Sequence, residues 1–201
     1  MKTRFLWVGV GGVLAVGLLL AGWQVLGGNY TFKGSLIDPA VPAADFELID
    51  QSGASFRLSE QKGKVVLIFF GYTNCPDVCP ITLTEFIRIK RELGDLAEEV
   101  RFVFITVDPE RDTVERLRSY LPSYDPAIIG LTGEQGQLEQ VWQSYGVYQA
   151  RQESESAAGY LVDHTARIYA IDKQGNWRLT YPFEMDRKAV IEDVRYLLRE
   201  S

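Results

Sequence analysis

Soft metal-binding side chains are scarce in this chain, which has two cysteines, two methionines and one histidine among 201 residues. A structural zinc site normally takes four protein ligands, and no fourth donor is evident beside the cysteines and histidine. Positive charge is also in deficit, with 21 Lys and Arg against 27 Asp and Glu. Setting aside Lys2 and Arg4 leaves 19 of those basic residues, with no basic stripe among them, so the surface repels phosphate backbones and nucleic acid is excluded as a partner. No repeat of fixed period and no low-complexity tract occurs. With 46% hydrophobic and 24% charged residues, the composition is that of a globular domain plus a linker.

Charge is absent from residues 5–26, whose only strongly polar member is Gln24. As a helix, that stretch would span ~33 Å, about the hydrocarbon thickness of a bilayer. A cleaved signal has a shorter apolar region and an A-x-A-like site, and neither is present. Residues 19–22 (LLAG) approach a lipoprotein signal, but Trp23 stands where the acylated cysteine would be needed. Residues 1–26 are therefore expected to be an uncleaved transmembrane anchor. Lys2 and Arg4 ahead of it put the rest of the chain on the far side of the membrane. No Arg-rich, Ser-rich transit peptide precedes the span, so a single-pass bacterial inner-membrane protein facing the periplasm fits better than one in the mitochondrial inner membrane.

Residues 27–44 are rich in Gly, Pro and Ala and read as a semi-extended linker, with Pro39 and Pro42 opposing a helix. The domain is expected over residues 45–201, opening with a hairpin of 46–49 and 55–58 about a Gly53 turn. Residues 64–71 (KVVLIFFG) and 100–107 (VRFVFITV) are continuous apolar runs, as in buried parallel strands. Between them, 81–93 carries Leu83, Phe86, Ile89 and Leu93 at helical spacing before Gly94. Further helices are expected at 113–120, capped by Asp112, at 134–145, and from the cap Asp186 to 198. A short strand falls at 128–131, and 166–171 with 177–181 forms a second hairpin. The fold class is α/β, and the element order resembles a thioredoxin-like domain with an N-terminal β-hairpin.

Cys75 and Cys79 lie four apart in FGYTNCPDVCP (70–80), directly after the first central strand and before its helix. That is the carboxyl edge of the sheet, where α/β folds build sites. Pro80 places the helix start there or just after, leaving 76–79 as a tight turn with both sulfurs at the helix's positive end. Helix N–H groups stabilise thiolate, so both thiols should fall below ~8.5. A disulfide staple is the plain alternative, but so short a ring constrains the unfolded chain little.

His164 alone would ordinarily be structural. It sits in Asp163-His164-Thr165, just ahead of the strand 166–171. Thioredoxin-like proteins usually carry Pro-Thr at this place, with the proline facing the active-site cysteines; a histidine there would aim its imidazole at the sulfurs. Two thiolates and one imidazole form a low-coordinate donor set suited to Cu(I). A catalytic zinc with bound water is the alternative metal.

These features together resemble the Sco/SenC family of copper chaperones for cytochrome c oxidase assembly. The resemblance runs from about residue 42 to the end, carried by FGYTNCPDVCP (70–80), TVDPERDT (106–113) and Asp163-His164-Thr165, with support at 45–48 and 63–66. It implies that Cys75, Cys79 and His164 bind one copper as Cu(I) or Cu(II). It further implies delivery to the binuclear CuA centre of the oxidase's subunit II, and that some members instead reduce that centre's cysteines. Further partners in view are another copper chaperone and a thioredoxin-like reductant. Asn74 precedes the first cysteine where a histidine would have added a ligand. Asp77 is read as a turn former or a partner for Asn74, Asp108 as an Asp-Pro turn bordering the metal turn, and Asp163 as an orienter of His164.

Two functions follow. One is a metallochaperone, a binding protein rather than an enzyme, resting on His164, since a pure dithiol enzyme needs no third soft donor. The other is a membrane-tethered thiol–disulfide reductase using Cys75 and Cys79. A peroxidase lacks its Pro-x-x-x-Thr-x-x-Cys pattern here.

Overall fold

The computed structural model describes residues 30–153 and 159–200. In chain order they form β1 (Ser35–Pro42), β2 (Glu47–Asp50), β3 (Ser55–Arg57), β4 (Val65–Gly71), α1 (Val78–Leu93), β5 (Val100–Thr106) and α2 (Val114–Tyr120). There follow β6 (Ile129–Thr132), α3 (Gln135–Ser144), β7 (Gln149–Glu153), β8 (Tyr160–His164), β9 (Arg167–Ile171), β10 (Asn176–Pro182) and α4 (Arg187–Arg199). The chain divides into two units, Met1–Thr31 and Phe32–Ser201. The anchor expected over 1–26 lies outside the described residues. Among the described residues, no helix is long and apolar enough to cross a membrane.

The apolar runs become the middle of an eight-stranded sheet in the order β1-β10-β9-β4-β5-β6-β2-β3. β4, β5 and β6 are parallel, while β9 lies antiparallel to β4 on its other side. All seven residues of β4 are buried, as a strand covered on both faces requires. Alternation sends Phe69 and Phe70 to opposite faces. Phe69 meets Phe104 and the His164 ring, whereas Phe70 meets Tyr145 and Tyr169. Full burial of each such ring contributes ~1.5–3 kcal/mol, so this strand anchors both layers of the core.

α1 covers the Phe69 face with Leu83, Phe86, Ile89 and Leu93, all buried, and Phe86 packs edge-on against Phe102. It stops at Gly94, whose φ of 61° is a conformation that glycine adopts without a Cβ clash. α4 packs against α1, and Arg187 bridges Glu85 and Glu92. On the other face, Tyr145 follows α3 into an aromatic cluster with Phe46, Tyr169 and Trp177.

Four details differ from expectation. The stretch read as a linker, 27–44, contains β1, which pairs antiparallel with β10 across an irregular register. Proline is tolerated there because β1 is an edge strand, where a missing N–H removes no ladder bond. α1 starts at Val78 rather than at or after Pro80, so Pro80 occupies the first turn, where its N–H would be unused. α2 is capped by the Thr113 side chain, not by Asp112. An added hairpin, β7–β8, forms a separate two-stranded sheet, and His164 ends β8 rather than preceding β9 directly.

Candidate metal centre

Six residues join the end of β4 to α1, and Cys75 is the fourth of them. The loop folds back through a Cys75 N–H to Tyr72 carbonyl bond of 3.2 Å. Cys79 falls in the first turn of α1 and is fully buried, while Cys75 keeps 9% exposure. The Cys79 sulfur can nest on the strand because position 71 is glycine. A Cβ there would stand 2.9 Å from Cys79 Sγ and 2.8 Å from the Phe69 ring.

β8 delivers His164 to the same point from a distant part of the chain. Its Nε2 lies 3.5 Å from Cys79 Sγ, and the ligand atoms of Cys75, Cys79 and His164 all lie within 4.8 Å of one another. Both cysteines are free thiols. Nδ1 lies 3.3 Å from the Thr165 carbonyl, and donation by Nδ1–H there fixes the ring with Nε2 toward the sulfurs. Phe69 and Tyr72 pack edge-on against the imidazole at 6.0 and 5.8 Å.

The two thiols are electrostatically unequal. The Cys79 thiol donates to Cys75 sulfur, and His164 and the Asp77 and Cys79 amides add further hydrogen bonds. Together they pull Cys75 down to about 4 against the opposing effect of burial. Burial and the neighbouring Cys75 charge push Cys79 upward instead. The expectation that the helix end lowers both thiols is corrected: one buried pocket stabilises one negative charge, and the more accessible sulfur takes it.

A buried carboxylate braces this turn. Asp112 accepts from Thr73 N–H at 3.0 Å, from the Thr73 hydroxyl at 2.6 Å and from the Thr106 hydroxyl at 2.8 Å. Burial nevertheless raises its pKa. Arg116, on α2, donates to the Thr73 hydroxyl and to Asn74 Oδ1.

The three flanking aspartates fare differently. Asp77 occupies the cap position of α1 without a side-chain cap bond, and Asn74 pairs with Arg116 rather than with Asp77. Asp108 does shape the turn after β5, since its carbonyl accepts the Arg111 and Asp112 amides. Its carboxylate also binds Arg111 and Tyr160. Asp163 does not orient His164. Neighbours on a strand face opposite sides, and the imidazole's Nδ1 meets Thr165 instead. Asp112, Arg111, Tyr72 and Tyr160 were missed as supporting residues. The acids and arginine of TVDPERDT were the available signal, but the bonds by which they reach Thr73 and Tyr160 span tens of residues.

Residues 36–199 match the SCO1/SenC family profile. A SCO2-like protein of Rickettsia prowazekii is 35% identical over 186 residues, covering 92% of this chain and 89% of the relative. The structure of Bradyrhizobium japonicum ScoI with copper bound superposes with a TM-score of 0.72 at 38% identity, over 79% of this chain and all of that one. Apo Sco1 from Thermus thermophilus superposes with a TM-score of 0.74 at 36% identity, over 86% of this chain and all of that one.

Proposed function

The chain belongs to the SCO1/SenC family, and from that premise we propose that Cys75, Cys79 and His164 carry one copper ion for insertion into the CuA centre of cytochrome c oxidase. The observation that carries this reading is the convergence of two thiols and one imidazole within 4.8 Å at the carboxyl edge of the sheet. Soft donors of this kind select Cu(I), and imidazole also accommodates Cu(II). The three ligand atoms already lie within 4.8 Å of one another, so only small side-chain shifts would bring them onto a common soft metal ion.

Copper is cargo here, so the site must release it as well as hold it. Cys75 is the more accessible sulfur and so the one an acceptor can reach first, and because it already favours thiolate, copper binding displaces few protons there. Cys79 is buried and loses its proton only to the metal. The acceptor in this proposal is the CuA domain of subunit II. An N-terminal anchor would hold the domain at the periplasmic side of a bacterial inner membrane, supported by Lys2 and Arg4 ahead of the uncharged run 5–26.

The low Cys75 pKa favours a second reading, reduction of the acceptor's cysteines by the same dithiol. Mixing Cu(I)-loaded full chain with a copper-free, reduced CuA domain separates the two. Delivery moves Cu(I) into the acceptor in step with its loss from the donor, and one-electron oxidation of the filled, colourless all-Cu(I) centre by added ferricyanide then develops the CuA visible spectrum. Reduction of an oxidised CuA domain at equal rate by metal-free chain, with no copper transfer in the first mixture, would favour the reductase.

A further inference from the structure

The two halves of the site are held in different ways. Cys75 and Cys79 follow β4, which is hydrogen-bonded on both sides within the main sheet. His164 ends β8, and β8 pairs only with β7 in a sheet that shares no ladder with the main one among the described residues. An isolated two-stranded hairpin is marginal in water, so beyond the step from His164 into β9 and the Thr165 N–H bond to the Tyr148 carbonyl, side chains hold this one in place.

Those side chains converge on Arg111, in the turn after β5. Its Nη1 donates to the Tyr160 carbonyl at 2.9 Å, at the start of β8. Its Nε donates to Asp108, whose other oxygen accepts the Tyr160 hydroxyl at 2.7 Å. The guanidinium lies 3.6 Å from the Tyr160 ring centroid, and the Arg151 guanidinium of β7 lies at the same distance. Two planar cations that close must occupy opposite faces of the ring, so Tyr160 is clamped between them. Arg111 also stands 5.7 Å from the Tyr72 ring. Tyr72 accepts the Val162 N–H at 3.1 Å through its hydroxyl and packs edge-on against His164. The Arg111 and Asp108 side chains are only 19% and 3% exposed, so water screens this pair weakly.

Building on the copper-site reading above, we propose that Arg111 is a positioning residue for His164, latching the β7–β8 hairpin to the turn after β5 so that the imidazole stays within reach of both sulfurs. The planar fork serves Asp108, the Tyr160 carbonyl and the Tyr160 ring at once, which a lysine ammonium cannot do. Loss of the latch leaves both thiolate ligands in place and removes the nitrogen.

The test is Cu(I) affinity of the reduced full chain by chelator competition, with copper X-ray absorption on the loaded forms. Arg111→Ala, Arg111→Lys and Tyr160→Leu are each measured with His164 present and in a His164→Ala background. With His164 present, Arg111→Ala is expected to weaken binding about 10- to 100-fold, the usual cost of losing an outer partner of a metal ligand. Arg111→Lys recovers little of this, Tyr160→Leu moves affinity in the same direction, and the copper spectrum loses imidazole scattering while keeping sulfur. Without His164, the same substitutions are expected to change affinity by no more than about 2-fold. Equal losses in both backgrounds, or parent-like binding by Arg111→Ala, would overturn the latch. Should Arg111→Ala not fold, Tyr160→Leu decides by the same comparison. Failure of the copper site itself would show earlier, as parent-like binding by His164→Ala alone, and the latch would fall with it.

Discussion

The Thr73 hydroxyl donates to the Asp112 carboxylate at 2.6 Å, joining the cysteine turn to the segment that precedes α2. The bond is buried, and the same carboxylate also holds the Thr73 amide and the Thr106 hydroxyl. A buried donor left without its acceptor costs about 1–3 kcal/mol. Asp112→Asn keeps the shape but turns an NH2 group toward donors, so it is expected to destabilise the reduced chain by that amount in urea unfolding. Unchanged stability would mean that the turn is held elsewhere.

Gly71→Ala tests how tightly Cys79 is seated. The added methyl meets the sulfur and the Phe69 and Phe104 rings at under 3 Å, and none of them is free to withdraw from a packed strand. Overpacking of this kind costs about 1–3 kcal/mol. Stability and Cu(I) affinity are expected to fall together; a stable variant with weakened copper binding would place the strain on the sulfur alone.

The unequal thiols give the reduced chain a distinctive pH dependence. Cys75 titrates at about 4 when folded, below its ordinary 9.0, so its ionisation favours the folded state. That contribution is complete above about pH 9 and is lost as pH falls through 4. Cys79 is shifted the other way, so its contribution is complete below its ordinary value and is lost as pH rises beyond it. Ultraviolet thiolate absorbance should show one thiolate appearing near pH 4 and no second one by neutrality. Both thiols titrating together near ~8.5 would contradict this asymmetry.

Asp193, buried on α4, accepts the amides of Lys33 and Gly34 just ahead of β1. Asp193→Ala is expected to leave the copper site intact and to accelerate amide exchange at Lys33 and Gly34 by 10-fold or more, corresponding to about 1–3 kcal/mol. Exchange unchanged at those amides would show that the β1–β10 pairing alone holds this end.

The legible parts of the fold were those where one residue type has one physical use. VVLIFFG and VRFVFIT admit little besides buried strands, and two lone cysteines at a strand end with one lone histidine leave few ways to combine. β1 was hidden by Pro39 and Pro42, which an edge strand tolerates. β7, spelled Gln-Ala-Arg-Gln-Glu, is mostly exposed and has no apolar alternation to betray it. Asp112 read as a helix cap because Asp before a helix usually is one; its burial under Thr73 and Thr106 depends on contacts that no local pattern encodes.

The most direct measurement is a competition titration of the reduced full chain with Cu(I), run beside Cys75→Ala, Cys79→Ala and His164→Ala. One copper per chain is expected, with each substitution weakening binding by 10-fold or more, about 1.4 kcal/mol. Parent-like binding by His164→Ala would contradict a three-donor site.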